Sequence, residues 1–466
     1  MIIVNCSLLI VHCSLLIVNC LFMSIARTIC LGFVGAIALG TLLLLLPFAT
    51  TSNTGYNPLI ALFTATSAIC VTGLAVVDTG THFSFWGQLT ILLLIQIGGL
   101  GYMTLTTFLM LLLGRRFDLR QKFAIQESFD RPFLLGSQNL IRSIFATTLI
   151  CEITGIFLLI KPFAQDYGLS QGLWFAMFHS ISAWNNAGFS LFSDSLVGYQ
   201  ASGRINLVIP ALVIFGGLGY QAIIELYLWL VNFFNRSKAR FCFSLNFKVV
   251  TSTTIFLLLT GTIAFFLTEM KNPATLANLN LPSKILAAWF QSITTRTAGF
   301  NTIDIGQMTT AGLFITMGLM FIGASPAGTA GGIKTTTLRI LSNCTASVLQ
   351  GKDDIILYQR KVPKALLLKA VAVVFGSIAT ITLATICVAI ADGDLDLIAI
   401  LFEVISAFST AGLSTGITAS LSSFSQLVLI FTMYSGRVGI LLLIAAIIKE
   451  SSPRVIQYPE DNLLVG

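Results

Sequence analysis

The sequence predicts an all-α integral membrane protein: four repeats of helix, re-entrant half-helix and helix around a pseudo-fourfold axis, with eight spanning helices. Three observations predict it. Of 466 residues, 56% are hydrophobic and only 10% charged, too few charges to cover a water-exposed surface. Uncharged apolar runs long enough to cross a ~30 Å hydrocarbon core recur along the chain. A glycine in nearly the same setting returns four times at a near-constant period.

The first repeat shows how each element is read. No charge stands between Arg27 and Asp78, yet one spanning helix takes only about 20 residues. The remainder is too apolar for an exposed loop and holds Pro47 and Pro58. A spanning helix to about Phe48 is expected, then a turn at TTSNTGYNP, then a half-length helix from about Leu59 ending at Thr72-Gly73. Trp86 to Gly114 is expected as a second full crossing. The same order recurs when the chain is aligned on glycine: SAICVTGL (67–74), SAWNNAGF (182–189), ITTRTAGF (293–300) and SAFSTAGL (406–413). Gly73, Gly188, Gly299 and Gly412 stand 115, 111 and 113 residues apart. Three copies hold Ser six positions before the glycine, and Phe63, Phe178 and Phe402 stand ten before it. The second helices repeat too, as IGGLGY (97–102) and FGGLGY (215–220), with FIGASPAG from Phe321 and MYSGRVGI from Met433 in the other copies. A single Ala-Gly pair means little, but four in register mark an internal duplication.

The repeats divide the chain at 23–130, 131–245, 246–362 and 363–450, with a cytoplasmic tail over 451–466. Residues 1–22 read IVNCSLL, IVHCSLL and IVNC in succession, a charge-free low-complexity extension. Translation is expected to start at Met23, the alternatives being an additional membrane helix or a signal segment. Basic residues gather in RRFDLRQKF from Arg115, in the segment 235–248 and in the segment 352–364, whereas DGDLD (392–396) is acidic. Short loops rich in Lys and Arg stay inside, so these segments and both termini are placed in the cytoplasm. The net charge of +7 thus speaks to orientation in the lipid bilayer and not to nucleic acid; a polybasic lipid- or nucleic-acid-binding surface is the alternative. Nine cysteines form no CxxC or Cys/His pattern, and with three histidines they offer neither a disulfide framework nor a metal centre.

Irregular backbone is tolerated at membrane depth only where protein buries it or it lines a watery cavity. Four copies around one axis supply such a cavity, a central pore. Each half-helix would point its partly negative C-terminal end at the axis. The turns Val71-Thr72-Gly73, Asn186-Ala187-Gly188, Thr297-Ala298-Gly299 and Thr410-Ala411-Gly412 would then direct backbone carbonyls inward. Glycine allows the left-handed angles that a Cβ obstructs. A ring of neutral carbonyl oxygens replaces the water shell of a monovalent cation, whereas divalent sites use carboxylates, which these stretches lack. Arg296 is the one charge among them and is expected to point behind the loop and brace it. The alternative for each glycine is tight helix packing.

A second feature lies in the third repeat. Gly323, Ala324, Ser325, Pro326, Ala327, Gly328, Thr329, Ala330, Gly331 and Gly332 interrupt what should be its second helix, because glycine and proline cannot sustain a helix there. The break would leave a small-residue flap beneath the ion site; a close-packed kink is the alternative. Arg437 lies within the last apolar helix. A lone charge at that depth costs ~2.5 kcal/mol or more, so it faces the interior, with a structural pair to Glu403 as the alternative role. His179 is expected as a satisfied polar residue of the second half-helix, and Asp353 and Asp354 as part of a solvated cytoplasmic face.

These residues resemble the Ktr/Trk/HKT family of potassium transporters over essentially everything after Met23. The resemblance rests on the four glycine stretches, on GGLGY, and on GASPAGTAGGIKTTT (323–337). Eight spanning helices are more similar to the membrane subunits of bacterial Ktr systems than to Trk chains, which carry two more. The resemblance implies a selectivity filter at Gly73, Gly188, Gly299 and Gly412, a gating loop at 323–332, and Arg437 below the filter beside that loop. In sodium-selective plant relatives the first glycine is serine; here it is glycine, which favours K+. Also implied are a homodimer in the bacterial plasma membrane and a cytoplasmic RCK-type, KtrA-like regulatory subunit binding ATP or ADP. K+ is then the cargo, Na+ a co-ion or activator, and no cofactor is covalently bound. The extension Met1 to Phe22 has no counterpart in the resemblance.

Other classes fit less well. An inverted-repeat secondary transporter for a small solute predicts two related halves, whereas the glycine spacing gives four quarters. No Walker or Rossmann glycine pattern and no GxSxG nucleophile motif stands in the chain, so an enzyme is not expected.

Overall fold

The computed structural model describes residues 25–51, 57–101, 137–235, 241–352 and 354–448. The extension 1–22, the segment from Arg115, Asp353 and the tail 451–466 lie outside the described residues.

Four groups of helices recur in the same order. The first has α1 (Ile25–Leu44), α2 (Pro58–Ile69) and α3 (Phe85–Leu100). In the second, the helix through Ser137–Trp184 turns at Gly168 (φ 80°, ψ 166°), leaving α4 over 137–167 and α5 over 169–184. It continues with α6 (Ile205–Leu218) and α7 (Tyr220–Phe234). The third has α8 (Leu245–Glu269), α9 (Leu281–Thr294), α10 (Thr310–Phe321) and α11 (Thr335–Leu349), then a two-stranded hairpin of β1 (Ile356–Leu357) and β2 (Arg360–Lys361). The fourth has α12 (Lys364–Ala391), α13 (Leu397–Ser409), α14 (Ser423–Val438) and α15 (Ile440–Ile447).

Of the short helices α2, α5, α9 and α13, the first and third have their starts fixed by a capping asparagine and a proline. The Asn57 side chain accepts from Leu59 N with Pro58 opening the helix, and Asn280 does the same for Ser283 N ahead of Pro282. The helices that follow are capped by Ser84, Thr309 and Ser422, each hydroxyl accepting a backbone N–H three residues on. The short helices are wrapped by protein: Phe63, Phe178, Phe290 and Phe402 are all among the largest buried side chains or at most 2% exposed. Apolar residues facing outward, such as Phe157 on α4, Phe314 on α10 and Phe375 on α12, suit a lipid surface.

The groups meet in a ring. Helix α3 packs on the second group's long helix, α6 on α9, α10 on α13, and α14 returns to α2, while α15 also packs on α1. What lets α3, α6 and α14 approach the short helices is one glycine in each. A Cβ on Gly98, Gly216 or Gly436 would stand 2.1, 2.0 and 1.7 Å from the carbonyl oxygens of Ile69, Trp184 and Phe408. Those carbonyls belong to backbone that cannot yield. Gly436→Ala is therefore expected to cost at least ~1–3 kcal/mol and to lower the amount of folded protein in detergent, read by size-exclusion of a fluorescently tagged chain. Wild-type yield and melting temperature in that variant would remove this packing role.

The structure differs from expectation in its helix breaks. The crossing expected over 86–114 ends as a helix at Leu100, where Gly101 takes φ 77°; the rest of it lies outside the described residues. Equivalent glycines bend the second and fourth groups: α6 meets α7 at 105° across Gly219 (φ 86°), and α14 meets α15 at 98° across Gly439 (φ 90°). Among the described residues four helices are long and apolar enough to cross a membrane, or six if each bent pair counts as one span. The physical reason is that a positive-φ glycine ends the helical ladder, so a continuous apolar run in sequence need not be one straight helix.

Candidate functional site

Each short helix runs into a turn with the same handedness. Val71, Asn186, Thr297 and Thr410, two residues before their glycines, have φ of 57°, 57°, 65° and 51°. The glycines follow at φ 92°, 68°, 78° and 78° for Gly73, Gly188, Gly299 and Gly412. In three copies the helix closes by a 6→1 bond: Thr72 N to Ser67 O, Ala187 N to Ser182 O and Ala411 N to Ser406 O, all 2.8 Å. The third copy instead bonds Ala298 N to Thr294 O at 3.0 Å. A left-handed residue carrying a Cβ costs ~1–2 kcal/mol, and Val71, Thr297 and Thr410 are branched as well. Such strain persists only where surrounding structure over-determines it. From sequence, the special angles were expected on glycine alone. The branched residues before them gave no sign, since composition favours no left-handed turn there.

The four glycines face one another in a closed circuit. A Cβ on Gly73 would meet the Ala187 carbonyl oxygen at 2.5 Å, and one on Gly188 would meet Gly299 Cα at 2.8 Å and the Ala298 oxygen at 2.9 Å. From Gly299 the contact is the Ala411 oxygen at 2.9 Å, and from Gly412 it is the Thr72 oxygen at 2.1 Å. So eight of the twelve residues singled out from sequence meet, the four glycines and Thr72, Ala187, Ala298 and Ala411, whose carbonyls lie at this ring, whereas Val71, Asn186, Thr297 and Thr410 supply the left-handed turn before each. Hydroxyls near them, Thr72, Thr297 and Thr410, are buried and without a hydrogen-bond partner. On one side the ring opens into a cavity of about 220 Å³ lined by all four glycines with Asp78, Ser190, Asn301 and Ser414.

On the other side lies the loop 323–332, which has no helix. It is tied to the second group by Ser325 N to Gly217 O (3.1 Å), Thr329 N to Gly216 O (3.3 Å) and Tyr220 N to Ala327 O (3.3 Å). Gly331 lies against the fourth turn, where a Cβ would be 2.3 Å from Thr410 Oγ1. A Cβ on Gly323 would meet the Gly331 oxygen at 2.1 Å, so the two ends of the loop touch. Of the remaining members, Pro326 O approaches Gly219, Gly328 N bonds Ser325 O, and Gly332 takes φ 69° against Gly323.

Three cations, Arg296 buried and Arg437 and Lys334 half-buried, hold this loop by its carbonyls. Arg437 Nη1 donates to Thr329 O and its Nη2 to Gly98 O. Lys334 Nζ donates to Ala330 O at 2.8 Å, and Arg296 Nη2 to Gly323 O at 3.3 Å. Arg437 is where expected, beside the loop. Arg296, expected to brace its own turn, holds instead a carbonyl of the break in the following helix. Lys334 was not singled out from sequence; its place at the end of GTAGGIK (328–334) was the available signal. Glu403 does not pair with Arg437: its carboxylate accepts from the Ser414 hydroxyl, Thr415 N and the Thr418 hydroxyl. His179 is satisfied on both ring nitrogens, by Phe175 O and Ser190 Oγ.

Residues 32–458 match the TrkH family model, described as cation transport protein. The chain is 36% identical over 441 residues to the Ktr system potassium uptake protein B of Bacillus subtilis, covering 94% of this chain and 96% of that one. It is 38% identical over 442 residues to the protein of the same description from Vibrio alginolyticus, covering 94% of each. To the potassium/sodium uptake protein NtpJ of Enterococcus hirae it is 34% identical over 452 residues, 95% of this chain and 98% of that one. The solved structure of the potassium transporter TrkH from Vibrio parahaemolyticus is similar with a TM-score of 0.68 at 17% identity, over 89% of this chain and 84% of that one. At that identity the likeness bears on the fold alone. The chain therefore belongs to the TrkH family of cation transport proteins, a family of transporters and not of enzymes.

Proposed function

We propose that this chain carries K+ inward across the bacterial plasma membrane, with the four glycine turns as its selectivity filter and the loop 323–332 as its gate. The observation that carries the reading is the closed circuit of Gly73, Gly188, Gly299 and Gly412 with the carbonyls of Thr72, Ala187, Ala298 and Ala411. A ring of neutral oxygens suits a monovalent cation that must shed its water. The buried, partnerless hydroxyls of Thr72, Thr297 and Thr410 supply further oxygens for the ion or its waters. Potassium uptake by name in the Bacillus subtilis and Vibrio alginolyticus relatives supports potassium as cargo. The name of the Enterococcus hirae relative supports Na+ as a co-ion or activator. Inward movement of one charge gains about 2.3 kcal/mol per 100 mV of membrane potential, so no hydrolysis by this chain is needed.

The order helix, pore helix, helix around a pseudo-fourfold pore is part of the same reading, with α2, α5, α9 and α13 as the pore helices. The word "system" in the relatives' descriptions supports a further subunit. We place an RCK-type, nucleotide-binding ring on the cytoplasmic side, against the basic segments 235–248 and 352–364, and a second copy of the chain beside it in the bilayer.

Expression in a bacterium lacking its own K+ uptake tests the reading. Growth at low external K+ is expected with the wild type. Gly73→Ser is expected to lower the preference for K+ over Na+ by roughly tenfold, the ratio produced by about 1.4 kcal/mol of differential binding. Retained preference in that variant, with normal expression, would count against the filter assignment.

A further inference from the structure

Two side chains that the transport reading leaves unused stand at one register position of the short helices. Nine residues before the filter glycine the four groups hold Thr64, His179, Phe290 and Glu403; two residues after it they hold Ala75, Ser190, Asn301 and Ser414. In the second group His179 Nε2 bonds Ser190 Oγ at 3.0 Å. In the fourth, the Glu403 carboxylate accepts from Ser414 Oγ at 2.5 Å. These are the same contact made with different chemistry. Both helix residues are buried, His179 at 0% and Glu403 at 1% exposure, and each is fixed at its other end. His179 Nδ1 donates to Phe175 O at 2.8 Å, and Glu403 accepts from Thr415 N at 3.1 Å and from the Thr418 hydroxyl at 3.0 Å.

The two serines in turn organise the segments that leave the ring. Ser190 Oγ accepts from Phe192 N at 3.0 Å, and Ser414 Oγ from Gly416 N at 2.8 Å. Both serines line the 220 Å³ cavity with the four glycines. The circuit of contacts runs from Gly73 through Gly188 and Gly299 to Gly412, so the second and fourth groups face each other across the ring. The third group hangs from the second: Asn301 N donates to Ser195 Oγ at 3.2 Å, and Leu196 N donates to Asn301 O at 3.0 Å. In the first group Ala75 has no side-chain group to hold, and Phe290 of the third has none to hold with.

We propose that His179 and Glu403 are positioning residues for ion selection, tethering Ser190 and Ser414 so that the outer rim of the ring keeps a fixed width along one diagonal. The proposal rests on the reading of the glycine turns as the filter. A rim pinned on two opposite sides cannot contract around a smaller ion, and contraction is what would let Na+ be coordinated as well as K+. The first group's rim, at Leu74 and Ala75, carries no such tether and is the side free to give.

The test uses Ser190→Ala, Ser414→Ala and the double variant, which remove the rim ends of the tethers with little change of volume, alongside Glu403→Gln and Glu403→Leu. The readout is the K+/Na+ uptake ratio in whole cells, with the KM for K+ and the maximal rate recorded separately and the amount of membrane-inserted protein measured for each. The double variant is expected to lose about tenfold in ratio, equivalent to about 1.4 kcal/mol, mainly through affinity and with wild-type amounts of protein. Glu403→Gln, whose amide oxygen still accepts from Ser414, is expected to keep most of the ratio that Glu403→Leu loses. A merely structural role would lower the amount of protein and leave the ratio fixed, which would overturn the proposal. Gly73→Ser separates the two readings. If it shifts the ratio while the serine variants do not, the tethers fail and the filter stands; if neither shifts it, the filter reading falls with them.

Discussion

Gly412→Ala is expected to abolish K+ uptake while leaving protein in the membrane. A methyl group there would sit 2.1 Å from the Thr72 carbonyl oxygen and 3.1 Å from Gly73 Cα, both backbone atoms of the neighbouring turn. Neither can move without opening the circuit. The residue also has φ 78°, which a Cβ makes costly by ~1–2 kcal/mol. Overpacking adds ~1–3 kcal/mol, and because each 1.4 kcal/mol is worth tenfold in binding, uptake should fall at least ~25-fold. Gly416→Ala is the matched comparison. It lies four residues on, with φ 97° but nothing within 4 Å of the position a methyl group would take. It bears the angle and not the collision, so the collision term of ~1–3 kcal/mol alone separates the two, and uptake through Gly416→Ala is expected to stay about 5- to 100-fold above that through Gly412→Ala by the same scale. Rubidium or potassium uptake by cells carrying each variant, normalised to membrane protein, decides the matter. Equal uptake through Gly412→Ala and wild type would mean that this ring is not the ion path.

Much of this was legible in the sequence because it rests on periodicity. The four glycine stretches, the half-length helices and the break at 323–332 are patterns of residue type, and each is found where the pattern placed it. The half-helices end a little early, α2 at Ile69 and not at Thr72-Gly73, because the turn itself takes two left-handed residues and needs its own backbone. What the sequence did not expose depends on backbone from distant parts of the chain. Gly98, Gly216 and Gly436 read as ordinary small residues in apolar helices; only the approach of Ile69, Trp184 and Phe408 carbonyls makes them obligatory. The bends at Gly219 and Gly439 are likewise invisible to hydropathy, which sees one apolar run. GGLGY and SGRVG held that signal, since each contains two glycines three residues apart. The partners of Arg296 and Lys334 are carbonyls, which any residue supplies, so no pairing of charged residues in sequence could have announced them.

Arg437→Ala is expected to raise K+ flux through the open filter by about tenfold or more. Arg437 occupies the place that Gly99, Gly217 and Ala324 hold in the other groups, so one quarter of the ring carries a guanidinium where three carry almost nothing. From α14 it reaches the Gly98 carbonyl of α3 and the Thr329 carbonyl of the loop, joining three groups through one side chain. Hydrogen bonds with a charged partner are worth ~1.5–3 kcal/mol each, so losing both frees the loop by more than the ~1.4 kcal/mol that corresponds to tenfold in rate. The charge acts in the same sense. A fixed cation beside the path raises the barrier for another cation, and its removal lowers it. Arg437→Lys distinguishes the two contributions, since lysine keeps the charge but lacks the planar fork that spans two carbonyls. If flux through Arg437→Lys rises as far as through Arg437→Ala, the latch dominates; if it stays at the wild-type level, the charge does. Both are measured as uptake at saturating K+ with the chain in vesicles at a fixed potential, and unchanged flux through Arg437→Ala would remove its gating role.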